Sequence, residues 1–183
     1  MKVQTFLLTF VLFLGMLCSC VNDLDEVKRI THFENAPDDL TQNLKMIYSD
    51  SGITKIHLYA RVSETYTSPK HITNFKEFLQ VDFFDINGVK VSTLTAQNGV
   101  YNHKDEMVLV EDSVRLYNYE KDQTLETESL TWNKKDSIIR TDDYVKVSSP
   151  KELLTGKGLV TKQDFSYFEI LNPTGKMNLK KEK

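Results

Sequence analysis

The sequence predicts an all-β fold, an antiparallel sandwich, roll or open barrel, from about Lys45 onward. Three observations carry that expectation. Apolar residues recur with period two: in Lys55–Val62, the side chains of Ile56, Leu58, Ala60 and Val62 fall on one face, and those of Lys55, His57, Tyr59 and Arg61 on the other. Turn signals punctuate the apolar stretches at Ser51-Gly52, Asn87-Gly88, Asn98-Gly99, Asn133–Asp136, Ser149-Pro150 and Pro173-Thr174-Gly175. The strands also repeat at an offset of 31: Leu94–Ala96 with Leu125–Thr127, Tyr101–Asp105 with Trp132–Asp136, and Asp112–Leu116 with Asp143–Val147. A weaker third copy begins at Leu154–Leu159. Stacked hairpins of one kind bury a continuous core between neighbours and leave sheet edges at the ends.

Taken from the N-terminus, the chain first shows Met1, the cation Lys2 and a 12-residue apolar run, Phe6 to Leu17. A spanning helix needs about 20 such residues, so residues 1–19 read as a secretory signal peptide. Leu17 at −3, Ser19 at −1 and Cys20 at +1 make a lipobox, and this end resembles a bacterial lipoprotein with Cys20 as the diacylated mature N-terminus. Cys18 fits less well, because Leu17 would then fill the −1 position that needs a small side chain. Cleavage before Cys20 leaves 164 of 183 residues. Losing Lys2 takes the cations from 23 to 22 against 26 acidic residues, so the net charge moves from −3 to −4. Such a chain is one domain by length and holds a real core. Mixed-sign, weakly acidic composition argues against a nucleic-acid partner, which calls for a basic face. With its only remaining cysteine carrying lipid, the mature chain has no disulfide framework.

Residues 20–40 read as the lipidated N-terminus and a tether rich in Asp and Glu. Leu24, Val27, Ile30 and Phe33 fall at helical spacing, which allows a short amphipathic helix within it. The strand domain is placed at 41–183. Val81/Phe83, Leu94/Ala96, Val108/Val110, Val114/Leu116 and Val145/Val147 continue the alternation, in stretches rich in Thr, Tyr, Val and Phe. The four prolines fall at turns or in the tether and contradict no strand. Gly156-Lys157-Gly158 reads as a bulge or turn.

Motifs of catalysis are missing. His32, His57, His71 and His103 are not spaced as metal ligands; His57 and His103 read as solvated side chains. There is no nucleophile elbow, P-loop or dinucleotide fingerprint, so the sequence offers no catalytic residue, metal site or cofactor.

From Leu40 onward the chain resembles the LptC family, in the lipoprotein form of Bacteroidetes. The resemblance covers about three-quarters of the chain and rests on an ordered series: Tyr48–Gly52 with Leu58-Tyr59-Ala60; Phe78 leading into Val81–Asp85 and Gly88; Ser92–Ala96; Leu125–Trp132; Thr141-Asp142; Gly156-Lys157-Gly158; and Gln163-Asp164-Phe165. One departure falls after Phe78. A proline and glycine are expected there, and this chain has Leu79-Gln80, which leaves the local turn open. The resemblance implies an open, twisted antiparallel β-roll, boat-like and close to a β-jellyroll, that binds the acyl chains of lipopolysaccharide in the periplasm. It implies receipt from the inner-membrane ABC transporter and delivery to a homologous periplasmic β-roll bridge protein, toward the outer membrane. No enzyme activity is implied.

The inward faces make Ile56, Leu58, Val81, Phe83, Leu94, Val108, Val110, Val114 and Leu116 the candidate groove residues, although the same residues serve equally as a closed core. The C-terminal edge, Ser166–Leu171 extended by Lys176–Leu179, supplies Tyr167, Phe168, Ile170, Met177 and Leu179 as candidates for docking the bridge. The lysine-rich tail, residues 180–183, would guard it. The anchor is expected at the periplasmic face of the inner membrane. A different class of function remains beside this one: a membrane-anchored lipoprotein binding a glycan or a protein, with Tyr59, Tyr117, Tyr119 and Trp132 as platforms. That reading requires solvent-facing aromatics over a closed core; the lipid reading requires a groove open along the strands.

Overall fold

A computed structural model describes residues 36–174. The signal peptide, Cys20, the helix considered over Leu24–Phe33, and the C-terminal Met177, Leu179 and lysine tail lie outside the described residues. Ten strands form one antiparallel sheet: β1 (Asp39–Asp50), β2 (Ile53–Tyr66), β3 (Ile72–Phe84), β4 (Lys90–Ala96), β5 (Asn98–Asn102), β6 (Met107–Asn118), β7 (Gln123–Asn133), β8 (Ile138–Ser148), β9 (Leu153–Lys162) and β10 (Phe168–Thr174). The order follows the chain, with β4 and β5 acting as two halves of one long strand between β3 and β6. This is the all-β antiparallel architecture expected from the sequence. Among the described residues no helix is long and apolar enough to cross a membrane.

The sheet bends along a line of bulges. Register shifts between Ala60 and Val62 in β2, Glu111 and Val114 in β6, Thr127 and Thr131 in β7, and Thr141 and Tyr144 in β8. Left-handed backbone marks the same level at Asn43, Glu77, Asp112, Ser113 and Gly158. The chain breaks pairing there at Gln97, whose N–H donates to the Asp112 carbonyl at 3.0 Å. A bulge bends its strand and increases local twist. Aligned across neighbouring strands, these bulges crease the sheet into two leaves that face each other. Phe83 of one leaf meets Trp132 of the other edge-on, with ring centroids 5.2 Å apart.

The 31-residue repeat is visible in this crease. The Asp112 carboxylate accepts from Asn98 Nδ2 at 2.6 Å. Thirty-one residues on, the Asp143 carboxylate accepts from Ser129 Oγ at 2.5 Å. The hairpin turns repeat too. Asn102 Oδ1 accepts from the Lys104 N–H, and Asn133 Oδ1 from the Lys135 N–H, each at 3.0 Å. Each turn ends in left-handed backbone, at Glu106 and Ser137. The repeated polar residues therefore serve turns and bulges, which set where each hairpin bends.

Several local expectations change. Asn98-Gly99 is not a turn but the start of β5. Gly99 is there for closeness: a Cβ would lie 2.9 Å from Leu79 Cδ2 and 3.2 Å from the Leu109 carbonyl oxygen. Leu79-Gln80 also makes no turn; Leu79 is fully buried within β3, just past its bulge. Pro173 and Thr174 belong to β10, where proline is tolerated because the strand is an edge. The edge strand begins at Phe168, so Ser166 and Tyr167 precede it in the loop. β1 opens at Asp39, within the stretch read as tether.

Candidate functional site

The two leaves are joined differently on their two sides. Toward β9 they are stitched by the loop at residues 163–167. Ser92 Oγ donates to the Gln163 carbonyl at 2.9 Å and Asn118 Nδ2 to the Asp164 carbonyl at 2.8 Å. Lys121 Nζ donates to the Ser166 carbonyl. Ser92 and Asn118 are buried, and these bonds meet the demand that buried polar groups find partners. The loop also drives Phe165, fully buried, between the leaves. The Gln163-Asp164-Phe165 run thus forms a plug.

Toward β1 the leaves part over a cleft of about 90 Å³. Met46 and Tyr48 of β1 and Ile56 and Leu58 of β2 line it from one leaf. Phe75, Tyr101, Val108, Trp132 and Lys134 line it from the other. Among the described strands β1 pairs with β2 alone, and Met46 and Tyr48 are about half exposed. The lining is almost entirely apolar, as an alkyl chain requires. The volume is below the roughly 300–1,000 Å³ of a ligand pocket. A bound chain must therefore wedge the leaves apart rather than enter a preformed tunnel.

Of the nine groove candidates, Ile56, Leu58 and Val108 line this cleft. Val81, Phe83, Leu94, Val110, Val114 and Leu116 lie deeper between the leaves, each no more than 1% exposed. Sequence reading did not place Met46, Tyr48, Phe75, Tyr101 or Lys134 in the groove. Met46 and Tyr48 carried a signal, since they alternate with Leu44 opposite Leu58, Ile56 and Ala60. Lys134 carried none: it is a turn lysine, placed at the cleft only by the crease.

The mouth of the cleft holds a polar cluster. Lys134 Nζ sits 5.1 Å from the ring centroids of both Tyr48 and Tyr101, within cation–π range. Beside it the His71 and His103 rings stack at 3.9 Å. His103 Nε2 and Thr73 Oγ1 are 2.8 Å apart. His103 is thus half-buried rather than solvated. Burial, with smaller contributions from His71 and Lys134, holds its pKa below the ordinary value. Deeper in the wall, Trp132 Nε1 is buried with no hydrogen-bond partner among the described residues. Trp132 therefore cannot serve as a surface platform for a glycan. Tyr117 and Tyr119 do pair edge-on, centroids 4.9 Å apart. Tyr59 is a half-buried residue that donates to Asn43 Oδ1 at 3.2 Å.

The docking candidates divide likewise. Tyr167 is exposed. Phe168 and Ile170 pack against the core. What β10 offers on its free side is backbone, because it pairs with β9 alone among the described strands. Among the described residues no group of three or more His, Cys, Asp or Glu is placed to hold a metal.

No curated protein matches the chain. The family model described as lipopolysaccharide-assembly, LptC-related matches residues 8–174, nearly the whole chain. With that match and the creased, ordered antiparallel roll, the chain belongs to the LptC family of periplasmic lipopolysaccharide-transport components.

Proposed function

We propose that the protein binds lipopolysaccharide by an acyl chain held between the two leaves on the β1 side. In this reading it receives the lipid from the inner-membrane ABC transporter and passes it to a homologous β-roll bridge protein at the β10 edge. Cys20 is the lipidated anchor on the periplasmic face of the inner membrane. The observation that carries the reading is the apolar cleft lined by Met46, Ile56, Leu58 and Val108, open where the opposite side of the roll is sewn shut. Burial of methylenes, about 0.8 kcal/mol each, supplies the affinity. A few contacts hold a chain while leaving it free to move on. The edge role rests on the unpaired ladder of β10, which offers N–H and C=O groups to an incoming strand.

A photo-crosslinking residue tests this in cells. At Leu58 or Met46 it should capture lipopolysaccharide; at Lys55 or Arg115, on the outer face, it should not. Equal capture at both pairs, or none at either with folded protein present, counts against the cleft.

A further inference from the structure

Among the described residues, the cleft has one cation in its lining, Lys134, and that cation is paired with no carboxylate. The ion pairs among the described residues are Lys76–Glu64, Lys90–Asp82, Arg115–Glu126 and Lys146–Glu126. Lys134 is in none of them. Its ammonium is instead held by two tyrosine faces, one from each leaf: Tyr48 of β1 and Tyr101 of β5. Lys134 therefore bridges the opening through which a chain must enter. A cation–π contact at a partly exposed site is weak, about 0.5–1 kcal/mol, and is readily exchanged for a pairing with an anion. The deeper lining is apolar, and it contains a donor unpaired among the described residues, Trp132 Nε1.

We propose that Lys134 is the head-group contact of this cleft, the side chain that pairs with the charged end of the amphiphile whose acyl chain the leaves hold. The acyl chain enters between the leaves, and the phosphate or carboxylate it trails draws Lys134 off Tyr48, which lets β1 swing outward. An apolar slot with a single cation at its rim selects for charge at one end of an alkyl chain; it gives no advantage to a neutral lipid. This assignment rests on the acyl-chain reading above and adds to it the residue that reads the charge.

Trp132 is the only tryptophan in the chain and lines the cleft, so its fluorescence reports occupancy. The full chain is reconstituted in phosphatidylcholine vesicles and titrated with dibromo-octadecyl phosphate or with dibromo-octadecanol, bromine being a contact quencher of indole. The phosphate probe should reach half-quenching at about threefold lower concentration or less, the scale of an exposed charge pair. Lys134→Gln should abolish that preference, the two probes then quenching at equal concentration, while Lys134→Arg should retain it. Millimolar inorganic phosphate should neither quench nor displace the probe. Equal quenching by both probes in the unmodified protein, or a preference that survives Lys134→Gln, overturns the head-group role and leaves the acyl-chain reading standing. Displacement by inorganic phosphate makes this a free-anion site and overturns the amphiphile. Quenching by neither probe sinks both readings.

Discussion

The β9 side of the roll and its β1 side start from the same sheet and end differently. On the β9 side a loop crosses the leaves, satisfies two buried polar side chains and inserts Phe165. On the β1 side no loop among the described residues crosses. There the described residues of the two leaves meet through side chains, and one lysine between two tyrosines spans the mouth. The interior of a creased sheet is a core or a groove according to what crosses its lips. Its strand pattern is the same in both cases.

Substitutions should separate the two sides. The largest effect is expected on the closed side: Phe165→Ala removes a fully buried ring and should cost about 3–5 kcal/mol, with Leu116→Ala close behind at about 2–5 kcal/mol. Met46→Ala, on the half-exposed lip, should cost within about 1 kcal/mol. Chemical denaturation of the three variants checks the contrast, and equal losses would erase it. Next in size, Asn118→Ala leaves the Asp164 carbonyl without its donor and should cost about 1–3 kcal/mol. It should also raise exchange of the amides at 163–167 while leaving β1 and β2 as they were.

The smallest effect is a pH dependence at the mouth. His103 has its pKa held below the ordinary imidazole value of 6.5, first by burial and then by His71 and Lys134. As pH falls through 6.5, the unfolded chain takes up this proton before the folded one does. The neutral ring therefore contributes stability that is whole above 6.5 and declines below it, until the folded protein also protonates. Glu64 and Glu126 start from 4.5 and are lowered, so their titration lies beneath this window. Melting temperature measured from pH 7.5 to about 5.5 should fall less steeply in His103→Gln than in the parent. Parallel curves would show that His103 is not buried as described.

Much of the sheet was legible because period-two alternation is a local property: Ile56, Leu58, Val81, Phe83, Leu94 and Leu116 all face inward. The 31-residue repeat was legible for the same reason, since each copy is one hairpin. What escaped was the bending. Asn98-Gly99 read as a turn because Asn-Gly is the residue pair of tight turns. Here the glycine answers instead to Leu79 and Leu109, contacts that no local pattern encodes. The crease, by folding distant halves of the strands together, also decided which inward residues line free space. Val81 and Leu58 are alike in sequence terms, both inward on neighbouring strands and paired with one another. Val81 sits in the closed core and Leu58 at the cleft, because the plug lies toward one side only. Lys134 reaches Tyr48 across more than eighty residues, and only the folded sheet brings them together.

Hydrogen–deuterium exchange of the full chain in membranes, with and without purified lipopolysaccharide, tests the asymmetry of the two sides most directly. Lipid that enters at the open lip should change amide exchange in β1 and in Ile56–Leu58 of β2, and leave the 163–167 loop and the centres of β6 to β8 unchanged. A change centred on the loop around Phe165, or spread evenly over all ten strands, would contradict the account.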